Sequence, residues 1–279
     1  MNTNMLWQCG TRRISLDRPL IMGILNVTPD SFSDGYPTLD RALTQARKLV
    51  EEGADILDIG GESARPGADP VTEAVETDRV VPVIAALAKE EDVLLSIDTQ
   101  KPGVARAALA AGAHIVNHVS ASLDFAAMIP VLAASGAGYV AMHMPDRPKT
   151  MQQSIAYEDV VEQVSQALNE VGKACKQAGI ARECLLFDPG IGFGKTLQHN
   201  LELMNHVETI SDKLGRPLLM GISRKSWLVN LMEDSLPDMA ERDAYTMLAS
   251  TQMPFPAVAV HRVHNAAYLS RAFRLLGSL

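Results

Sequence analysis

Short apolar runs recur along the chain, and each ends in polar or small residues. The first covers residues 20–25 and is followed by Asn26 and by a turn-forming segment, residues 27–30. An apolar run of this length, bounded by turn residues, predicts a strand buried on both faces, as in a parallel sheet. The polar residues would then lie at its carboxyl end, where parallel α/β proteins bind ligands. Asn26 is therefore the first candidate site residue, with an ordinary Asx turn as the alternative.

The same pattern predicts eight strands. Their polar ends are Asn26, Asp58, Asp98, Asn117, His143, Asp188, Ser223 and Arg262. Helical spacing fills segments between them, including residues 40–53 with Gly53 as a C-cap, and residues 105–112, 157–179 and 197–214. Most of the spacings match a βα unit of about 30 residues or more. This predicts an α/β fold, a single (β/α)₈ TIM barrel over residues 1–279, rather than a doubly wound sheet.

Composition and charge narrow the class of protein. Of the 279 residues, 47% are hydrophobic, but no apolar stretch reaches the roughly 18 residues of a membrane span. The first residues lack a secretory signal pattern, so we expect a cytoplasmic protein with no membrane partner. Cys9, Cys175 and Cys184 are expected to be free thiols. The formal net charge of -8 argues against a nucleic-acid partner and requires local cations for any anionic ligand.

In a barrel the carboxyl ends of the strands converge on one mouth, so polar residues far apart in sequence meet there. We expect two groups of side chains. Hydrogen-bonding groups for a flat nitrogen heterocycle come from Asp58, Asp98, Asn117 and Asp188, and cations for a phosphate come from Lys225, Arg262 and His264. One heterocycle joined to a phosphorylated arm would satisfy both groups. For any single carboxylate, a helix cap or a surface ion pair is the alternative.

A glycine-rich segment and three histidines each have a functional and a structural interpretation. Residues 188–195 are rich in glycine but lack the spacing of a P-loop, so we interpret them as a loop that lets a planar ligand approach the backbone. His114 and His118 are four residues apart, but on a predicted strand and turn, which disfavours a zinc site. We interpret His143 as a packed histidine at a strand end.

Several long motifs resemble the dihydropteroate synthase family of folate biosynthesis. They lie at residues 21–35, 58–67, 96–99, 142–144, 148–152, 187–195, 223–226 and 262–264, in order along nearly the whole chain. The resemblance implies a (β/α)₈ barrel, a target for sulfonamides, and a transferase. Its reaction would join 6-hydroxymethyl-7,8-dihydropterin diphosphate to 4-aminobenzoate and release diphosphate.

Carried over by position, the resemblance implies a set of residues for each part of the reaction. The pterin would contact Asp58, Asp98, Asn117, Met142, Asp188, Phe193, Gly221 and Lys225. The diphosphate would contact Asn26, Ser63, Ala64, Arg65, Arg262 and His264. The aminobenzoate would contact Phe32, Pro66, Phe193 and Ser226. Catalysis would rest on Asp98, Lys225, Arg262 and His264. The resemblance also implies Mg²⁺ as cofactor, with Asn26 as its ligand, two small-molecule substrates as partners, and a homodimer.

The chain departs from the family pattern at several positions. Ala64 stands where threonine is usual, His118 and Asn265 stand where aspartate is common, and Asp243-Ala244 replaces a common Gly-Ser. Two alternatives therefore remain open. One is a pterin-dependent methyltransferase barrel that works with a corrinoid protein, which would not need the cations at 225, 262 and 264. The other is a pterin-binding paralogue that is catalytically weak or silent.

Overall fold

Strands and helices alternate along the residues that the computed structural model describes, which are 5–28, 39–63, 67–90, 93–152, 155–232 and 237–277. The strands are β1 (Leu6–Cys9), β2 (Arg12–Ser15), β3 (Leu20–Asn26), β4 (Ile56–Gly60), β5 (Leu94–Asp98), β6 (Ile115–His118), β7 (Gly138–Met142), β8 (Leu185–Asp188), β9 (Leu218–Met220) and β10 (Val258–Val263). The helices are α1 (Leu39–Glu51), α2 (Glu73–Leu87), α3 (Pro102–Ala110), α4 (Ala121–Ser135), α5 (Val160–Gln177), α6 (Leu197–Asn205), α7 (Val207–Leu214), α8 (Ser226–Leu231), α9 (Met239–Thr251) and α10 (Ala266–Leu276).

Strands β3 to β10 close into a barrel in chain order, with β10 beside β3. The strand pairs in it are parallel. Their register sets Asn26 beside Gly60, Gly60 beside Asp98, and Asp98 beside Asn117. The predicted (β/α)₈ TIM barrel is confirmed, and the assignment of residues 1–279 to one domain stays a prediction.

The burial of the elements explains why this sequence forms them. Every residue of β4 and of β7 is buried, because one face of each strand fills the barrel and the other lies under the helices. Helix α1 buries Ala42, Ala46 and Leu49, which share one helical face. The chain leaves α1 through Gly53 at φ +101°, the left-handed conformation that ends many helices.

Several predicted bounds are corrected by the structure. Strand β4 continues to Gly60, two residues past Asp58, whereas β9 ends at Met220, before Ser223. The predicted helix over residues 197–214 is two helices, because His206 has non-helical backbone angles, φ −117° and ψ 21°. Such a break depends on one residue, so the hydrophobic period does not reveal it.

The hairpin of β1 and β2 was not predicted, and it packs below the amino ends of the barrel strands. Its residues Trp7 and Cys9 lie in a core cluster with Leu20, Ile56 and Leu186. The cysteines Cys9, Cys175 and Cys184 are buried free thiols, as predicted. In the described part of the chain, every helix is too short or too polar to cross a membrane.

Candidate active site

Arg262, near the end of β10, joins carboxylates from two other strands. Its Nε donates to Asp58 Oδ2 at 2.6 Å, and its Nη2 donates to Asp98 Oδ2 at 2.5 Å. Asn117 Nδ2 donates to the same Asp58 oxygen at 3.0 Å. Side chains from β4, β5, β6 and β10 therefore form one hydrogen-bonded group at the mouth of the barrel, the carboxylate–arginine cluster.

This cluster links two groups that the sequence predicts separately. The cation expected to meet a phosphate, Arg262, is paired with two of the carboxylates expected to meet the heterocycle. The physical reason is burial: Asp58 is fully buried, and a buried charge is costly unless an opposite charge and hydrogen bonds compensate it. The predicted anion site thus contains an arginine that already has two acceptors.

Burial and charge shift the protonation of this cluster in opposite directions. Burial raises the pKa of Asp98, and the neighbouring carboxylates Asp58 and Glu76 add to the shift, while Arg262 opposes it. Burial alone would lower the pKa of Arg262, but Asp58 and Asp98 more than offset that and raise it. Asp58 Oδ1 is buried and has no hydrogen-bond partner among the described residues. It is an open acceptor at the mouth.

A second group of side chains lies at the ends of β8 and β9. Asp188 Oδ1 accepts a hydrogen bond from the Gly190 amide at 2.7 Å. A Cβ added at Gly221 would lie 3.4 Å from Asp188 Oδ2, so this glycine leaves the carboxylate accessible from β9. Burial raises the pKa of Asp188, although Lys225 opposes the shift.

Lys225 lies between this carboxylate and the glycine-rich loop. Its Nζ donates to the carbonyl of Ile191 and lies 4.3 Å from the centroid of the Phe193 ring, a cation–π contact. Burial lowers the pKa of Lys225 to about 8, although Asp188 pulls it upward. Lys225 is thus a cation that can lose its proton just above neutral pH.

The glycine-rich loop is held by a buried lysine that the sequence reasoning missed. Lys195 Nζ donates to the carbonyls of Gly190 and Phe193 and contacts His143 Nδ1, each at 3.0 Å. Burial lowers the pKa of Lys195 to about 7 and that of His143 well below its ordinary value. The signal was present in the sequence, as a lysine in a glycine-rich segment and a histidine at a strand end.

Other predicted residues lie around the same mouth. Ser223 Oγ and His264 Nδ1 are 2.9 Å apart, and Ser223 Oγ also accepts from the His264 amide at 3.2 Å. Met142 is buried in a small cluster with Phe193 packed against it. Ser226 is exposed at the start of α8, and Ser63 is half-buried just after β4. These positions agree with one mouth, while the individual roles stay predictions.

Comparison with known proteins identifies the family. A family of proteins described as pterin binding enzymes matches residues 22–264. The chain belongs to the pterin-binding enzyme family. A dihydropteroate synthase from Neisseria meningitidis serogroup C is 42% identical over 279 residues, covering 98% of each chain.

Two solved structures of this family have the same fold. A Xanthomonas albilineans dihydropteroate synthase with 4-aminobenzoic acid has a TM-score of 0.90 and 40% identity, covering 99% of this chain and 98% of its own. A Yersinia pestis dihydropteroate synthase in a sulfonamide drug complex has a TM-score of 0.89 and 39% identity, covering 98% of both chains. The barrel is therefore the one that this pterin-binding family uses.

The predicted metal ligand, Asn26, ends β3 beside Gly60, and Asp98 lies on the other side of that glycine. A Cβ added at Gly60 would be 3.7 Å from both Asn26 Oδ1 and Asp98 Oδ2. Oxygen ligands of this kind suit Mg²⁺, which commonly takes one or two protein oxygens, water and substrate phosphate. Among the described residues, no group of three or more His, Cys, Asp or Glu side chains could hold a metal alone. Asn26 Oδ1 thus provides one oxygen of the kind that Mg²⁺ binds, and its role as a metal ligand stays a prediction.

The departures from the family pattern have clear surroundings where they are described. His118 Nδ1 lies 2.8 Å from the Tyr139 hydroxyl, and its Nε2 lies 3.0 Å from Asp124 Oδ1. His114 Nδ1 accepts from the Leu95 amide at 3.1 Å, so these two histidines make separate structural contacts. Predicted site residues Phe32, Ala64, Arg65 and Pro66 lie outside the described residues.

Proposed function

We propose that this chain is a transferase that condenses 6-hydroxymethyl-7,8-dihydropterin diphosphate with 4-aminobenzoate, forming 7,8-dihydropteroate and diphosphate. The observation that carries the proposal is Asp58 Oδ1, a buried acceptor without a hydrogen-bond partner in the described chain. Buried polar atoms are almost always satisfied, so an open one at a barrel mouth points to a ligand N–H group. The near full-length similarity to dihydropteroate synthases supports the same conclusion.

The pterin ring is bound by the two groups at the mouth. Asp58, Asp98 and Asp188 accept from its ring and exocyclic N–H groups, and Asn117 and Lys225 donate to its nitrogen and oxygen acceptors. Met142 and Phe193 cover apolar surface of the ring, and Gly221 leaves it room. A flat heterocycle rich in N–H groups needs this mixture of fixed acceptors and donors.

Departure of diphosphate is the demanding step. The bond between the pterin methylene carbon and the diphosphate oxygen breaks, and its electron pair leaves with that oxygen. Arg262 and His264 stabilise the negative charge that develops on this oxygen, together with Arg65 of the motif at residues 58–67. Mg²⁺, held by Asn26 together with the diphosphate, would supply further positive charge when bound.

The second substrate then attacks the same methylene carbon. The neutral arylamine nitrogen forms the new carbon–nitrogen bond and afterwards loses a proton, so no strong general base is required. Phe193 and Ser226 bound its side of the pocket, and the resemblance assigns Phe32 and Pro66, outside the described residues, to the same substrate. Because a sulfonamide resembles aminobenzoate, it should compete for that side, in keeping with the drug complex of the Yersinia pestis relative.

We also propose that the protein is a cytoplasmic homodimer, and exposed apolar side chains support the dimer. Large apolar side chains are exposed on α8, α9 and α10 or beside α8: Leu231, Met232, Met239, Leu248, Leu275 and Leu276. Exposed apolar surface of this kind is typical of an interface between subunits. Light scattering of the purified protein tests this part of the proposal.

The test of the reaction uses the purified chain with pterin diphosphate, 4-aminobenzoate and Mg²⁺. We expect diphosphate release that depends on aminobenzoate, dihydropteroate in the mass spectrum, and competition by a sulfonamide. Asp58→Asn should weaken pterin binding, whereas Lys173→Ala, which removes an exposed lysine paired with Glu170, should not. Pterin binding without product would favour the silent paralogue, and methyl transfer from a pterin would favour the methyltransferase.

A further inference from the structure

Arg224 has a backbone conformation that arginine rarely adopts. Its φ is +57°, and it is the one non-glycine residue with positive φ in the described parts of the chain. Left-handed backbone is unfavourable for residues with a Cβ and persists only where the surroundings enforce it. Arg224 directly precedes Lys225, so its backbone conformation affects where the Lys225 side chain points.

Arg224 makes hydrogen bonds to two residues of α9, Asp243 and Thr246. Arg224 Nε donates to Asp243 Oδ1 at 2.6 Å, and Arg224 Nη2 donates to Asp243 Oδ2 at 2.8 Å. The Arg224 amide also donates to Thr246 Oγ1, one turn further along α9, at 3.1 Å. Both the backbone and the side chain of Arg224 are therefore attached to the same helix.

Asp243 is suited to hold this position. It is 5% exposed, and burial would raise its pKa, but the hydrogen bonds from Arg224 and Asn265 outweigh this and lower the pKa. It stays ionised at neutral pH and makes a bidentate pair, the strongest geometry for an arginine and a carboxylate.

The same carboxylate reaches the second cationic position of the mouth. Asn265 Nδ2 donates to Asp243 Oδ2 at 3.0 Å, and Asn265 directly follows His264. On the other side, Arg224 lies between Ser223, which is bonded to His264, and Lys225. One side chain outside the pocket is thus connected to the neighbours of both His264 and Lys225.

We propose that Asp243 is a positioning residue, which holds Arg224 in its left-handed conformation and thereby directs Lys225 into the pocket. This inference rests on the proposed function for its effect on turnover. The turn at Arg224 sets the direction in which the chain enters α8, and Lys225 is the residue immediately before that helix. Without the carboxylate, the backbone can relax to negative φ and Lys225 moves away from Ile191 and Phe193.

A purely structural role for Asp243 must be separated from positioning. Glu241 provides the matched control, because it lies on the same helix and its capping interactions with Asp238 stabilise α9 away from the pocket. Glu241→Ala should lower the melting temperature and leave kcat/KM unchanged. Asp243→Ala should lower kcat/KM by about 100-fold, the scale of misplacing a reacting group by about 1 Å.

The decisive experiment makes the ion pair between Arg224 and Asp243 unnecessary. Glycine adopts positive φ readily, so Arg224→Gly keeps the turn without Asp243 and should retain activity within about tenfold of wild type, well above Asp243→Ala. In the Arg224→Gly background, Asp243→Ala should then cause little further loss. Isothermal titration with the pterin diphosphate alone, between pH 6.5 and 9, gives a second readout that needs no turnover.

Each outcome decides the inference. Positioning is supported if Asp243→Ala causes a strong loss of kcat/KM that disappears in the Arg224→Gly background. It also requires that the fall in pterin affinity above pH 8 is weaker in Asp243→Ala than in the wild type. Equal losses in both backgrounds, or no loss in Asp243→Ala, overturns it. If the wild type binds pterin without forming product, the proposed function fails, and the titrations still test whether Asp243 positions Lys225.

Discussion

The two ends of the barrel each contain an arginine that donates to several acceptors, and the difference between the two separates stability from function. At the amino end, Arg216 donates to three backbone carbonyls, those of Leu185 at 2.9 Å, Leu6 at 3.0 Å and Glu183 at 3.3 Å. At the carboxyl end, Arg262 donates to the carboxylates of Asp58 and Asp98. One arginine binds acceptors that cannot move or change charge, and the other binds acceptors that can do both.

The two pKa values reflect this difference. Burial lowers the pKa of Arg216, whereas the carboxylates raise that of Arg262. Arg216 donates both to Leu6 in the hairpin and to Leu185 at the start of β8, so it holds these two elements together. Arg262 and its partners can exchange their hydrogen bonds for those of a substrate. In TIM barrels the amino end of the strands generally serves stability, and the carboxyl end holds the active site. The fixed hydrogen bonds of Arg216 and the exchangeable ones of Arg262 fit this division.

The largest expected effect comes from removing the upper arginine. Arg262→Met should lower kcat/KM by about 10²–10³-fold, the scale of losing one donor to a developing anion. Steady-state kinetics with both substrates measures it. A variant with wild-type kinetics would show that the carboxylate–arginine cluster plays no part in the reaction.

The same variant should show a dependence of stability on pH. Burial already raises the pKa of Asp98, and Arg262→Met removes the positive charge that opposes this shift. A carboxyl with a raised folded-state pKa favours the folded state at low pH, and this contribution is lost as pH rises through that pKa. Urea unfolding at pH 5 and pH 8 should therefore show the larger deficit, relative to wild type, at pH 8.

The next effect tests the lower arginine. Arg216→Met leaves three carbonyls without their donor and should lower the free energy of unfolding by about 3 kcal/mol. Because this site lies at the opposite end of the barrel, kcat/KM should stay within about twofold of wild type. Urea unfolding and kinetics on one preparation measure both quantities. Loss of activity without loss of stability would reverse the comparison.

A pH titration sharpens the description of the upper end. The pKa of Lys225 is about 8, so its positive charge is present below that pH and lost above it. Pterin affinity should fall by up to about tenfold per pH unit above pH 8 if that charge is needed. Lys225→Met should bind weakly and without this alkaline limb. If pterin affinity still falls above pH 8 in this variant, the titrating group is Lys195 instead.

The smallest effect tests the hairpin. Trp7→Phe keeps most of the buried ring but removes the hydrogen bond from Trp7 Nε1 to the Cys184 carbonyl, which is 2.9 Å long. We expect a loss of about 1 kcal/mol in the free energy of unfolding, seen as a melting temperature about 2–4 °C lower. Activity should not change. A clear change in kcat would connect the bottom of the barrel to the mouth.

The sequence by itself determined the barrel and the places where its strands end. A strand that is buried on both faces appears in the sequence as a short apolar run closed by a polar residue. Asp98 and Asp188 end their strands, as this pattern predicts. The long motifs added the family. The N-terminal hairpin was missed because its strands, LWQC and RRIS, contain no continuous apolar run closed by a polar residue.

Only the tertiary structure decided which polar groups pair. Arg262 and Asp58 are 204 positions apart, and they meet because β10 closes against β3 and β3 against β4. The same holds for Asp243 and Arg224, 19 positions apart, and for Lys195 and His143, 52 positions apart. Hydrophobic burial is recorded locally in the chain, whereas a hydrogen bond between distant residues depends on closure of the whole barrel, which no single segment encodes.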